Sequence, residues 1–478
     1  MTVRTIISSL LLVLMFTSRS FASNGQGFQP FYESNQFEVE QKGSEELRLL
    51  NLYSDFLFKK NDPAKADSIR KLSIKLYPHG ILARREFLTK VQSLSGDDLV
   101  KAVKVMRKKF PVTEAYKTQD ADTHFFLYAN VYKHLCEQLF REHKYFDIEQ
   151  LLPDMNLSML SDAYLHGPQQ ALKFETDPKE YEPLAKAFVD EMERKAGSSE
   201  PTVIFAKCVY VVIACRAEKY QEAVNCMNSI SKDHRFTTDS HANEAYIVSQ
   251  QQLGHQNEAL AAMKASVENS KMTTAVYDML HRYYDRHETA NFKTFDSYVA
   301  SLKSEANIEI LMKEVKSQMV DEPFEPFLLK GLVDAADINS ANFRKGEIVI
   351  LDFWATWCAP CIAALEGMQM AVNRYKNNKG VNFYFVVTQD HPTADEVRPF
   401  WQKKGYHDMP VMIDGGGTGR GRDNAEVYST LFPKSSGIPQ KAILKDGRIR
   451  YRASGYKGSP SGLMDEISAV IEILEKEK

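Results

Sequence analysis

Two patterns of apolar residues divide the chain. From about Glu45 to Lys316, apolar residues recur at the spacing of amphipathic helices, and short breaks containing Gly or Pro separate helix-length segments. After about residue 348, short dense apolar runs alternate with helical stretches. The patterns predict a long α-helical region followed by a smaller α/β domain.

The helical region contains a weak internal repeat. Tyr220–Val224 (YQEAV) recurs 36 residues later as Gln256–Leu260 (QNEAL). A period near 34 residues with a small Ala at the helix contact resembles degenerate tetratricopeptide units, so we describe the region as TPR-like. Such an array is expected either to present a surface to a partner protein or only to build its own core, and the sequence leaves both open.

The carboxy-terminal pattern predicts a central strand over Ile348–Trp354, because both alternate faces of this run are apolar. The acidic, proline-containing segment Asp321–Pro326 before it is interpreted as a linker. The further predicted elements are a helix at Ile362–Tyr375, a strand at Val381–Thr388, a helix at Ala394–Lys404, a strand at Pro410–Ile413, a hairpin of Lys441–Lys445 and Arg448–Arg452 turning on Asp446-Gly447, and a helix at Gly462–Glu475. This order is that of the thioredoxin fold.

Composition and charge narrow the class of protein. The 478 residues suggest two or three domains, and 44% hydrophobic with 26% charged residues exclude a disordered chain. Lys and Arg number 60 against 63 Asp and Glu, so the formal charge of -3 provides no basic field for nucleic acid.

The first 22 residues are predicted to be a signal peptide. Arg4 precedes an apolar stretch from Ile6 to Phe16, and small residues at Ser20 and Ala22 fit a cleavage site before Ser23. A retained membrane anchor is the alternative, although the stretch is short for a span of ~20 residues. The first cysteine after the stretch is Cys136, too far away for the usual bacterial lipid attachment, so no lipid anchor is expected. The mature protein is assigned to a bacterial periplasm or envelope. We therefore divide the chain into residues 1–22, a helical domain over 23–320 and a thioredoxin-like domain over 321–478.

Two of the six cysteines, Cys358 and Cys361, are separated by only two residues at the predicted start of a helix. At that position the unpaired backbone N–H groups and the helix dipole stabilise a thiolate at Cys358, which we expect to be exposed while Cys361 is buried. Pro360 fits the first helical turn, where a missing N–H costs nothing. The pair is suited to thiol–disulfide exchange, in which Cys358 attacks and Cys361 resolves.

The motif DFWATWCAPC at Asp352–Cys361 resembles the active-site signature of the exported TlpA/ResA-like thiol–disulfide oxidoreductases, and Gly437–Pro439 resembles the cis-proline loop of that family. The resemblance covers Phe327 to Lys478. It implies an enzyme acting on protein disulfides without a cofactor, with re-reduction by a membrane electron-relay partner. Pro360 between the cysteines is more similar to the reducing members of the fold.

The resemblance also assigns supporting residues. Asp352 falls where thioredoxins carry a buried Asp, which would exchange a proton with Cys361; the alternative is a strand-end carboxylate that reaches water. Ile438 and Pro439 would present backbone groups to an extended substrate segment, or simply form a turn. Trp357 and Trp354 are expected to shield the site, with Trp354 equally well placed as core.

Two departures from the family pattern affect these expectations. The Glu and Pro that many ResA-like proteins carry after the second cysteine are replaced by Ala364 and Glu366, so the acidic site and the helix kink of those proteins are in doubt. In addition, the basic loop around Arg420 and Arg422 is a candidate contact for an acidic partner.

Other functions compete with the oxidoreductase. The chain would be a scaffold or adaptor if only the helical repeats bind a partner. A zinc site is disfavoured because no second C-x-x-C is present and tetrahedral zinc needs four ligands. The remaining cysteines, Cys136, Cys208, Cys215 and Cys226, are expected to be small buried residues, although Cys226 is placed where it could meet one of the others.

Overall fold

The structure is a computed structural model that describes residues 45–115, 121–174, 176–390, 392–406, 408–415, 425–435 and 437–477. The predicted signal peptide lies outside these residues, as do Arg420 and Arg422. Among the described helices, none combines the length and the apolar character that a bilayer crossing requires.

The helical part of the chain is built from helices joined by short turns. Their bounds are α1 Glu45–Ser54, α2 Pro63–Leu76, α3 Ile81–Val91, α4 Gly96–Lys109, α5 Val112–Ala115, α6 Ala121–Arg141, α7 Tyr145–Glu149, α8 Leu157–His166, α9 Pro168–Ala171, α10 Pro178–Ala196, α11 Pro201–Arg216, α12 Tyr220–Ser229, α13 Ser240–Gln252, α14 Gln256–Glu268, α15 Thr274–His287, α16 Phe295–Ser301 and α17 Glu305–Gln318. A π-helical turn (Asp55–Lys59) and a 3-10 turn (Leu152–Asp154) interrupt them.

Capping side chains explain several of the helix starts. Asp239, Thr273 and Ser304 each accept a hydrogen bond from a backbone N–H in the first turn of the helix that follows. Short polar side chains at these positions satisfy donors that have no partner within the helix.

The repeated segments Tyr220–Val224 and Gln256–Leu260 occupy equivalent positions, because each opens a helix. The turns before them are also alike: a residue with positive φ (Glu218 or Gly254) precedes an N-cap residue at φ -88°, ψ 63° or φ -87°, ψ 70°. The sequence repeat therefore coincides with a repeat of local backbone structure.

The chain divides into two compact units. Among the described residues, those up to Ile213 form one unit and those from Ala214 onward form the other, so the helices from α12 to α17 belong to the same unit as the sheet. The boundary predicted between residues 320 and 321 falls within the strand Met319–Pro323, which follows the helix that ends at Gln318, whereas the two units divide between Ile213 and Ala214.

The carboxy-terminal part contains a sheet and four helices. Its elements are β1 Met319–Pro323, β2 Leu328–Val333, β3 Ile338–Asn339, β4 Ile348–Trp354, α18 Ala359–Tyr375, β5 Val381–Val387, α19 Ala394–Lys404, β6 Val411–Ile413, α20 Glu426–Leu431, β7 Gln440–Lys445, β8 Arg448–Ser454 and α21 Pro460–Lys476. The strands lie in the order β1-β8-β7-β4-β5-β6-β2-β3. β4, β5 and β6 run parallel, whereas β7 is antiparallel to β4.

β4 lies at the centre of this sheet, and all seven of its residues are buried. Ile348, Ile350 and Trp354 pack with apolar residues of α18 and α21 on one face. Val349, Leu351 and Phe353 pack with α20 on the other. The alternation explains why the run appears apolar throughout, since each face of a central strand is covered by helices.

The predicted fold class is confirmed: a helical region precedes a thioredoxin-fold domain, and the predicted strand–helix order is present. The segment interpreted as a linker is partly the edge strand β1, because Glu322 pairs with Ile449 and Pro323 with Arg448. The side chain of Arg452 reaches Glu322 at 2.8 Å, so opposite charges hold the acidic segment on the edge of the sheet. β2, β3 and α20 were not predicted.

Polar contacts join the helices before the sheet to α18 and α21. Ser461 N donates to Met272 O (3.1 Å), and Met272 N donates to Ser461 Oγ (2.8 Å). Asp465 of α21 accepts a hydrogen bond from Ser270 Oγ (2.6 Å) and forms an ion pair with Lys303. Gly367 of α18 allows the start of α21 to approach closely, since a Cβ there would lie 2.6 Å from Pro460 O.

Candidate active site

Cys358 and Cys361 lie at the start of α18, directly after the carboxyl end of β4. Cys358 is the N-cap residue, and Pro360 falls in the first turn, where its missing N–H leaves no hydrogen bond unmade. The two sulfurs are joined in a disulfide with a Cα–Cα distance of 5.3 Å. A reduced Cys358 at this position faces the unpaired N–H groups of the helix, which favour its thiolate.

The expectation that Cys358 is exposed is wrong for this disulfide state. Cys358 is 3% exposed and Cys361 is 1% exposed. The reason is the loop containing Ile438, whose carbonyl oxygen lies 3.8 Å from Cys358 Sγ. Trp357 is 52% exposed and forms the accessible surface beside the disulfide, whereas Trp354 is a buried core residue.

The loop that covers Cys358 contains a cis peptide bond between Ile438 and Pro439, as the family resemblance implies. Tyr428 of α20 donates a hydrogen bond from its hydroxyl to Gly437 O (2.7 Å) and so holds the loop from the opposite side of the sheet. Asp414 positions α20 in turn, because its carboxylate accepts from the backbone N–H groups of Val427 and Tyr428 at 2.8 and 2.9 Å.

Asp352 is buried at 1% exposure in the middle of β4. It lies between Ile350 and Trp354 in a strand where alternate residues share a face, so its side chain points to the face that α18 covers. Burial raises the pKa of the Asp352 carboxyl above its usual value, and the nearby Lys441 ammonium partly opposes that shift.

Lys441 is the functional candidate that the sequence analysis did not identify. It lies opposite Asp352 in the β4–β7 pair, and its Nζ is 3.4 Å from Asp352 Oδ1. Neither of these two atoms makes a hydrogen bond of good geometry. A signal was present, because a charged residue in the buried strand after Ile438-Pro439 is as unusual as Asp352 in β4, and two such residues in neighbouring strands suggest an ion pair.

Ala364 and Glu366, which replace the Glu and Pro of many ResA-like proteins, have different places in the structure. Ala364 of α18 is buried in the core, so the position where many ResA-like proteins carry a Glu holds no carboxylate. Glu366 instead accepts a hydrogen bond from Thr274 N (2.8 Å) at the start of α15. α18 runs as one helix from Ala359 to Tyr375.

The other four cysteines form no disulfide. Cys136, Cys208 and Cys215 are buried, and Cys226 is partly buried. Cys208 and Cys215 both lie on α11, where a rise of ~10.5 Å separates residues seven apart. No group of side chains suited to hold a metal ion occurs within the described ranges.

Comparison with protein families gives a match for residues 319–465 to the Redoxin family. The matched segment begins at β1 and ends within α21, so it includes both cysteines, Asp352, the cis-proline loop and Lys441.

Two curated proteins illustrate the similarity. Thioredoxin-like protein YneN of Bacillus subtilis (strain 168) is 29% identical over 125 residues, which are 25% of this chain and 65% of that protein. Thiol-disulfide oxidoreductase ResA of Bacillus thuringiensis subsp. konkukian (strain 97-27) is 30% identical over 111 residues, 23% of this chain and 57% of its own length. The chain thus spans less than two thirds of these relatives.

Among solved structures, a thiol:disulfide interchange protein of the thioredoxin family from Chlorobium tepidum TLS is 19% identical. The aligned region covers 33% of this chain and 97% of that one, with a TM-score of 0.25.

Proposed function

We propose that this chain, whose carboxy-terminal part is a Redoxin-family domain with the thioredoxin fold, is a thiol–disulfide oxidoreductase that acts through Cys358 and Cys361. The observation that carries the proposal is the disulfide at the N-terminus of α18 beneath the Ile438–Pro439 loop. A purely structural disulfide needs neither a helix N-terminus nor an exposed aromatic neighbour such as Trp357.

The first step is attack on a substrate disulfide. In the reduced protein the Cys358 thiolate, favoured by the helix N-terminus, forms a bond to one substrate sulfur. The substrate S–S bond breaks, and its other sulfur leaves as a thiolate that takes a proton from solvent. The product is a mixed disulfide between Cys358 and the substrate.

The second step is resolution by Cys361. Its thiol loses a proton, its sulfur attacks Cys358 Sγ, and the mixed disulfide breaks to release the second substrate thiolate. Asp352 serves as the proton acceptor, because a buried carboxyl whose pKa is raised lies closer in proton affinity to a thiol than an exposed one does. Two electrons have then passed from the cysteine pair to the substrate.

The substrates are disulfide-containing proteins. An extended segment would lie along the Ile438–Pro439 loop, with Trp357 as an apolar contact beside the sulfurs. We propose that the protein works as a reductase in a bacterial periplasm or envelope, since Pro360 resembles reducing members of the fold and residues 1–22 resemble a cleaved signal peptide. A membrane electron relay would re-reduce it, and the helical domain, over residues 23–320, would bind a further protein.

The test is reduction of a disulfide-bonded protein by dithiothreitol in the presence of the full chain. We expect catalysis by the wild type and a rate no faster than dithiothreitol alone for Cys358→Ser. Cys215→Ser is the matched control, because it removes a buried thiol far along the chain from α18 and should leave the rate unchanged. Equal inactivity of wild type and Cys358→Ser would favour the adaptor, provided that the helical part still retains a partner.

A second experiment identifies the substrates. Cys361→Ser removes the resolving thiol, so the mixed disulfide formed by Cys358 should accumulate and be recovered covalently from an envelope fraction. The double variant with Cys358→Ser is the control, and it should recover none of the same proteins.

A further inference from the structure

The helical part of the chain contains a cleft with a volume of about 410 Å³ and a basic lining. Its lining includes Lys104, Arg107 and Lys108 of α4, Pro111 beyond the end of that helix, Tyr132 of α6 and Asp154 of the 3-10 turn. Three of the four charged side chains that line it are basic. The cleft is therefore a positively charged recess within the unit that ends at Ile213.

The acidic side chain of the cleft, Asp154, is already paired. Arg107 Nε donates a hydrogen bond to Asp154 Oδ2 (2.6 Å), and the Tyr132 hydroxyl donates to the same oxygen (3.1 Å). Lys104 and Lys108 differ, because neither makes a hydrogen bond or an ion pair with the part of the chain that the structure describes. Two ammonium groups thus remain without a counter-charge in the cleft.

Helix stability does not account for this pair of lysines. Basic side chains in the last turn of a helix interact favourably with its dipole, which explains Arg107, Lys108 and Lys109. Lys104 lies before that turn, and two like charges four residues apart destabilise a helix. Residues 101–109 contain five basic residues and no acidic one. A local arrangement that costs stability without an evident structural gain is typical of a binding site.

A buried cation adds to the positive charge of this region. Burial raises the pKa of Tyr128, one turn before Tyr132 on α6, to about 12, and the guanidinium of Arg84 partly opposes that rise. Arg84 of α3 is 8% exposed, and its Nε and Nη1 have no hydrogen-bond partner among the described residues. Because buried charges are normally paired, an unpaired guanidinium near Tyr128 favours an anion as the ligand of this region.

The spacing of the basic groups favours carboxylates on an extended chain. Lys104 and Lys108 are separated by a rise of ~6 Å along α4. Side chains on one face of an extended segment repeat every ~6.6 Å, so two alternate acidic residues match the two lysines. Arg107 already uses Nε on Asp154 and Nη2 on Gln150 O (3.1 Å), so its two-pronged contact is not free for a phosphate.

We propose that the cleft binds an acidic, extended segment of a partner protein, with Lys104 and Lys108 each paired to one carboxylate. The inference rests on that part of the proposed function in which the helical domain binds a further protein, and it names the chemistry of that partner. It involves neither Cys358 nor Cys361, so the cleft and the redox site can be tested separately.

The experiment measures the binding of a fluorescein-labelled hexaglutamate peptide to the full chain by fluorescence anisotropy at low salt. We expect the wild type to bind the peptide and Lys104→Gln/Lys108→Gln to bind it about tenfold or more weakly, because each lost ammonium removes one charge pair from a concave site. Lys71→Gln/Lys75→Gln is the matched control. It removes two exposed lysines at the same spacing on α2 and should leave the affinity unchanged.

Charge reversal provides an independent variant. Lys104→Glu/Lys108→Glu should lose hexaglutamate and bind a hexalysine peptide more tightly than the wild type does. No binding of hexaglutamate by the wild type, or equal weakening by the α2 control, would overturn the proposal. Displacement of the peptide by inorganic phosphate, beyond that by chloride at the same ionic strength, would assign the cleft to phosphate and overturn the acidic segment as its ligand.

A parallel assay separates the cleft from the redox site. Lys104→Gln/Lys108→Gln should reduce a disulfide-bonded protein with dithiothreitol as fast as the wild type, because both redox cysteines are retained. A wild type that catalyses this reduction but does not bind hexaglutamate would overturn the cleft and leave the oxidoreductase standing. A wild type that binds the peptide through Lys104 and Lys108 but does not catalyse would overturn the oxidoreductase and support the cleft.

Discussion

Cys358 and the buried cysteines of the helical part have similarly low exposure, but they occupy different positions in their helices. Cys358 caps α18, beside the exposed Trp357. Cys136 and Cys215 lie inside apolar packing, where burial raises the pKa of their thiols to about 12 and about 11. A cysteine at a helix N-terminus is therefore reactive, whereas a cysteine buried within a helical core is inert, since the thiolate is the reactive form.

The largest expected difference is in alkylation rate. When the reduced native protein is treated with iodoacetamide at pH 7, Cys358 should react at least about 10³ times faster than Cys136, because a thiol of pKa about 12 is almost wholly protonated there. Peptide mass spectrometry after timed quenching measures both rates. The denatured protein is the control, in which the two should react alike. Comparable rates in the native protein would remove the contrast between the two regions.

The second prediction concerns proton transfer by the buried carboxyl group of Asp352 in the thioredoxin-fold domain. When the reduced protein reacts with 5,5′-dithiobis(2-nitrobenzoate), attack by Cys358 releases one coloured thiolate and resolution by Cys361 releases a second. Asp352→Asn should slow the second release by about 10- to 100-fold and remove the rise of that step with pH. The first release should be unaffected. Because Asn leaves the Lys441 ammonium buried and unpaired, the double variant Asp352→Asn/Lys441→Met should recover thermal stability without recovering the rate. A resolution rate equal to wild type from pH 6 to 9 would exclude proton transfer by Asp352.

The redox site could be predicted from the sequence because local signals define it. The C-x-x-C spacing, Pro360 and the apolar run of β4 all act within one strand–turn–helix segment, and the observed helix α19, Ala394–Lys404, has the predicted bounds. Lys441 and Glu366 were not assigned, because their roles depend on partners 89 and 92 residues away in the chain. The edge strand β1 was missed for a similar reason, since its charges pair with arginines of β8 that are distant in the sequence.

A third prediction concerns a buried carboxyl in the helical part. Glu244 of α13 is buried, and burial raises its pKa to about 7, an effect that His241, Thr273 and Arg216 partly oppose and Glu366 reinforces. The native state therefore holds this proton more tightly than the unfolded state, in which the pKa is near 4.5. The tighter proton binding by Glu244 stabilises the native state relative to the unfolded state below about pH 4.5. This stabilisation is lost as the pH rises through about 7.

Glu244→Gln replaces the titratable carboxyl with a neutral amide, so the variant should not lose this stability as the pH rises. We expect the variant to be more stable than wild type by about 2–3 kcal/mol at pH 8 and equally stable at pH 4, measured by urea unfolding at both values. Glu309→Gln on the exposed side of α17 is the control and should change neither. A stability difference that is the same at pH 4 and pH 8 would show that packing, not the proton, accounts for it.

The smallest effect is expected where the helices meet the redox domain. Glu366 of α18 accepts a hydrogen bond from Thr274 N at the positively polarised start of α15, so Glu366→Ala should lower the free energy of unfolding by about 1–2 kcal/mol. Glu366→Gln keeps an acceptor without the charge and should lose less, whereas Glu309→Ala should lose nothing measurable. Urea unfolding at pH 7 measures all three. If Ala and Gln lose the same amount, the negative charge stabilises the junction; if neither loses stability, α15 is held by its apolar contacts alone.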